Sequence, residues 1–171
     1  MAVLRAAFAR GRERFGFRLV QYAVQPDHLH FIVEAADKKA LSEGARGLCV
    51  RVARRLNALL GRRGRVFAER YHARALKTPR EVRHVLAYVL LQERRHAAKR
   101  RSGMTTSLDA CSSAPCFDGF SRTSPRWGPD GLDELAREVM KTVARATSWL
   151  LTTGWRRYGL IDPAEVPGAR D

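Results

Sequence analysis

The sequence predicts an α+β domain in which a small antiparallel sheet carries amphipathic helices. Two adjacent runs rich in β-formers, Phe17–Val24 and His28–Ala35, are separated by the turn signal Pro26-Asp27. A long stretch from Lys38 to about Leu60 then places Leu41, Ala45, Leu48, Val52 and Leu56 at three- and four-residue intervals, the spacing of one helical face. Finally, Thr78-Pro79-Arg80-Glu81 combines a capping Thr, a Pro suited to the first helical position and a Glu placed to complete a capping box.

The remaining elements follow in order. Leu4, Phe8 and Phe15 recur near helical spacing, so the Arg-rich opening reads as an amphipathic helix rather than a targeting presequence, and Gly16 ends it. The two strands follow, paired antiparallel, and then the long helix, closed by Gly61-Arg62-Arg63-Gly64. Arg65–Leu76 reads as a third strand, and the helix opened at Thr78 is expected to run to about Lys99. Residues 101–131 are rich in Ser, Thr, Gly and Pro and read as a flexible linker, leaving a helical tail over 132–171 with its helix at about Leu132–Thr152. The division is thus a domain over 1–100, a linker and a tail. Three strands make a thin sheet for two long helices.

Composition narrows the function classes. Lys and Arg number 32 against 17 Asp and Glu, a formal charge of +15, and only five of the 32 are Lys. Arg forks onto phosphate and stacks on unpaired bases, so such a surplus points to nucleic acid. Candidate phosphate contacts are Arg46, Arg51, Arg54 and Arg55 on the long helix, Arg70 and Arg74 on the third strand, and Arg156 and Arg157 in the tail. No apolar run reaches the ~18–20 residues of a membrane span. Three cysteines, 49, 111 and 116, form no disulfide framework and have no zinc-like spacing; the reading is a reducing cytoplasm.

Two motifs carry chemistry. In His28-Leu29-His30 a strand points both imidazoles to one face, half of a divalent-metal site. On the following helix Tyr88 and Gln92 stand four apart on the flank of the buried stripe of Val82, Val85, Leu86, Val89 and Leu90, with His84 one turn earlier. Taken singly, each has a bland reading: a solvated His pair, a packing Tyr, surface His84, Gln92 and His72. Together they supply a nucleophile and cation ligands suited to phosphodiester chemistry.

In that order, His28-Leu29-His30 followed by an aliphatic strand and Tyr88-Val89-Leu90-Leu91-Gln92 on a helix resemble the His-hydrophobic-His single-strand tyrosine transposases, with 66–89 similar to their REP-associated branch. The resemblance covers about Leu4 to Lys99. It implies a ferredoxin-like fold and cleavage and rejoining of single-stranded DNA hairpins through a 5′-phosphotyrosine intermediate. It also implies one Mg²⁺ or Mn²⁺ held by His28, His30 and Gln92, with Tyr88 as nucleophile, in either a monomer or a homodimer. Two departures stand out. Met1 falls at the first helix, so the family's opening strand is missing, and Asp27 stands where Asn commonly precedes the His pair. The rival readings are a decayed or domesticated hairpin-binding module without catalysis and a metal-dependent nuclease that uses water.

Overall fold

A computed structural model describes residues 1–99, 108–121 and 132–168. The elements are α1 (Ala2–Gly11), β1 (Glu13–Arg14), β2 (Phe17–Val24), β3 (Leu29–Ala35), α2 (Lys38–Leu59), α3 (Pro79–Leu90), α4 (Gln92–Lys99), α5 (Leu132–Met140) and α6 (Trp149–Thr152). Single 3₁₀ turns lie at Ala114–Cys116 and Gly154–Tyr158. The strands form one antiparallel sheet in the order β1-β2-β3.

The β1–β2 connection is a two-residue hairpin loop, with Arg14 opposite Phe17. Phe15 and Gly16 both take positive φ, 47° and 81°, the combination that matches the twist of paired strands. The expected opening helix is therefore shorter than its pattern suggested: it stops at Gly11, and Phe15 sits exposed at a turn tip.

Pairing of β2 with β3 slips once, between Leu19 and Gln21. The bulge changes the phase of the strand. Phe17, Leu19 and Tyr22 thereby share a cluster with Ala7 and Phe8 of α1 and Leu48 and Val52 of α2. Ala23 and Ile32 belong instead to a cluster built on Val82, Leu86, Val89 and Leu90 of α3. Because successive strand residues face opposite ways, α1 and α2 cover one side of the sheet and α3 the other.

Arg65–Leu76 forms no strand. The segment is irregular and almost wholly exposed, and only its apolar ends are held: Phe67 packs on the α1–α2 cluster and Leu76 on the α3 cluster. Its charged residues have no neighbouring strand to pair with. The next helix begins as expected. Thr78 Oγ1 accepts from Glu81 N, and Glu81 Oε2 accepts from the Lys77 and Thr78 amides. It does not run unbroken to Lys99, because Leu91 leaves helical geometry (φ −115°, ψ 26°) and separates α3 from α4.

Of the stretch 101–131, residues 101–107 and 122–131 lie outside the described residues. The described part, 108–121, is laid along β2: the Cys111 carbonyl accepts from Val24 N and the Ser113 amide donates to Tyr22 O, while Ser112, Ser113 and Ala114 are fully buried. Ala144 N adds a bond to Leu19 O. The helix expected over 132–152 is two helices, interrupted at 141–148, where Thr142 Oγ1 turns back to Val139 O. Trp155 and Ile161 sink into the α3 cluster, and Arg83 of α3 grips Glu165 with two bonds, 2.8 and 3.0 Å. All three cysteines are free and half-buried.

Candidate active site

The turn at Pro26-Asp27 is closed by a bond from Gln25 N to His28 O, and β3 starts immediately after it. His28 and His30, two residues apart, project to one side and converge: their Nε2 atoms are 3.0 Å apart and their rings stand at 90°. Asp27 Oδ1 is 2.6 Å from His28 Nδ1. A carboxylate accepts there, so Nδ1 carries the proton and Nε2 offers its lone pair to the His30 side.

Tyr88 arrives from α3. Its ring packs edge to face on His30, with centroids 5.4 Å apart, and the Arg95 guanidinium lies over the same ring at 4.8 Å. The phenol is thus held between an imidazole of β3 and a cation of α4. Gln92, four residues after Tyr88, is only 2% exposed, and its Nε2 has no hydrogen-bond partner.

The electrostatics favour neutral imidazole and ionised carboxylate. Burial lowers the His30 pKa, and repulsion from the Arg95 guanidinium, and from His28 and His96 whenever they are protonated, lowers it further. The hydrogen bond to His28 holds the Asp27 carboxyl below its usual range. His96 is a residue that sequence reasoning missed. It stands on α4, four after Gln92 and eight after Tyr88, a helical spacing that would have found it.

These residues suit a divalent cation. Two imidazole nitrogens converge, one is backed by a carboxylate, and the buried Gln92 amide, four residues after Tyr88, lacks a partner on one of its two interchangeable ends. Among the described residues no group of three His, Cys, Asp or Glu is placed to hold a metal. A third protein ligand from this set would be the Gln92 amide.

The other candidates lie apart from this cluster. Arg46 and Arg54 are exposed on α2, while Arg51 folds toward Gly11 and Gly47, and Arg55 is half-buried. Arg70 and Arg74 belong to the exposed irregular segment, where Arg74 is 3.8 Å from Glu81 and His72 is 3.8 Å from Glu69. His84 is exposed on α3. Arg156 pairs with Asp118 at 3.0 Å, and Arg157 stacks on Trp149. No helix among the described residues is long and apolar enough to cross a membrane.

The α+β domain thus sets a His-x-His segment against a tyrosine of the following helix. The family model described as "Transposase IS200 like" matches residues 2–92, more than half of the chain and a span that includes His28, His30, Tyr88 and Gln92. The chain belongs to the IS200-like transposase family. No curated protein and no solved structure matches it.

Proposed function

We propose that this transposase cleaves and rejoins single-stranded hairpin DNA, with Tyr88 as the nucleophile. The observation that carries the reading is the packing of the Tyr88 ring on His30, whose Nε2 is 3.0 Å from that of His28. The phenolic oxygen bonds to the phosphorus of a phosphodiester, and its proton passes to water. The bond from phosphorus to the 3′ oxygen of the preceding sugar breaks, and that oxygen takes a proton from water and leaves as a 3′-hydroxyl. The phosphate stays on Tyr88 as a 5′-phosphotyrosine, and attack by a 3′-hydroxyl reverses the sequence and rejoins a strand.

His28, His30 and Gln92 would hold Mg²⁺ or Mn²⁺, which polarises the phosphodiester when bound. Asp27 fixes the proton of His28 on Nδ1, and burial keeps His30 neutral. His30 and Arg95 restrict the Tyr88 ring to one orientation, which removes part of the entropic barrier to attack. The Arg surplus supplies affinity for the strand.

The test is a denaturing gel of the protein incubated with Mn²⁺ and labelled single-stranded hairpins from the DNA flanking its gene. A covalent adduct is expected from the wild type and from neither Tyr88→Phe nor His28→Ala. Cleavage that persists in Tyr88→Phe would overturn the tyrosine mechanism in favour of water. Tight, salt-sensitive binding without cleavage would reduce the chain to a hairpin-binding module.

A further inference from the structure

The tail carries a second feature that the strand chemistry does not use. In the 3₁₀ turn Gly154–Tyr158, residues three apart lie on the same side, so Gly154 and Arg157 share a face. The Trp149 ring lies against that face. A Cβ on Gly154 would stand 2.7 Å from a ring carbon, and the Arg157 guanidinium lies 5.0 Å from the ring centroid. Glycine makes room for the indole, and arginine stacks on it.

The base beneath is rigid. Trp155 is 1% exposed, donates from Nε1 to Leu151 O and joins the cluster of Val82, Leu86 and Leu90 on α3. The outer side is open: Trp149 is 48% exposed and Tyr158 is 52% exposed. Among the described residues Arg157 has no carboxylate within ion-pair distance, unlike Arg156, which is bound to Asp118. A half-exposed indole, with a guanidinium stacked on it that has no carboxylate partner among the described residues, on a chain of charge +15, complements a flat ring joined to an anion. The unpaired bases of single-stranded DNA have that chemistry: the base meets the indole and the adjacent phosphate meets Arg157.

We infer that Trp149 and Arg157 form a base-stacking platform, fixed to the helix that carries Tyr88, on which an unpaired nucleotide of the bound strand rests. This rests on the reading that the chain acts on single-stranded DNA, and it has its own readout. Stacking quenches indole fluorescence, so a single-stranded oligonucleotide of mixed sequence should quench the wild-type protein. An abasic strand of equal length should bind without quenching. Trp149→Ala should abolish the quench and weaken binding about 5- to 150-fold at fixed salt.

Gly154→Ala, which displaces the ring and leaves it in the protein, should also lose the quench. Arg157→Ala should reduce the slope of log affinity against log salt by about 0.7, the contribution of one phosphate on a single strand, and Arg157→Lys should restore the slope. Absence of quenching by the base-containing strand, equal quenching by the abasic strand, or wild-type affinity in Trp149→Ala would each overturn the platform. None of these bears on the adduct assay, which tests Tyr88 separately.

Discussion

The Asp27 carboxylate and the His28 imidazole lie 2.6 Å apart, Oδ1 to Nδ1, on the side of the ring away from His30. This arrangement favours the imidazole tautomer that carries its proton on Nδ1. Asp27→Ala is expected to weaken Mn²⁺ binding about 10- to 100-fold, as loss of an outer partner of a ligating histidine generally does. Asp27→Asn keeps an acceptor without the charge and should fall between the two. Calorimetric titration of metal-free protein with Mn²⁺ checks both, and equal affinities would show that the pair has no part in holding a cation.

Acid should loosen the junction between β3 and the tail. The Glu34 carboxylate accepts from the Thr147 and Ser148 amides and from Thr147 Oγ1, at 2.7–2.9 Å. Partial burial raises its pKa, but the hydrogen bonds from Ser148 and Thr147 outweigh it and leave the net value lowered. A carboxyl depressed in the folded state stabilises above its ordinary pKa, and that stability is lost as the pH falls through the depressed value. The contribution should therefore be intact above about pH 4.5 and decline below it. Glu34→Gln should flatten the acid limb of a plot of thermal midpoint against pH.

Gly44 of α2 faces Phe17 of β2 so closely that an added Cβ would overlap the ring. Gly44→Ala should cost about 1–3 kcal/mol, the usual penalty of overpacking a filled core. Urea unfolding should show a lower midpoint with the slope unchanged.

The start of α3 rests on one reciprocal cap. Thr78→Ala removes the acceptor for Glu81 N and should cost about 0.5–2 kcal/mol, whereas Thr78→Ser should cost little. For a chain of this length the loss corresponds to about 1–8 °C in the thermal midpoint. Scanning calorimetry of the two variants side by side checks it.

Local rules made half of this molecule legible. The two-residue period of a strand suffices to set His28 beside His30, three- and four-residue spacing gives α2, and Thr78-Pro79-Arg80-Glu81 gives the first turn of α3. The rest depends on distant partners. Arg65–Leu76 has β-formers but no strand to pair with, so it remains irregular. Ala114, Trp155 and Ile161 belong to no helical or strand period, and nothing local announces that they fill the α3 cluster. Gln92 reads as a surface residue on a continuous helix, whereas it is buried directly after the turn at Leu91, and nothing local to Leu91 foretells that turn.

The bonds along the free side of β2 also have a kinetic consequence. Val24, Tyr22 and Leu19 receive their backbone partners there from Cys111, Ser113 and Ala144, far later in the chain. During synthesis β2 emerges long before them, with its amides and carbonyls on that side bare. Closing loops of this length has to precede the contacts that reward it, so folding should be slow and should complete only once the last quarter of the polypeptide is available. A nascent chain halted after α4 would offer an open β-edge to its neighbours, which makes the tail the step at which self-association is switched off.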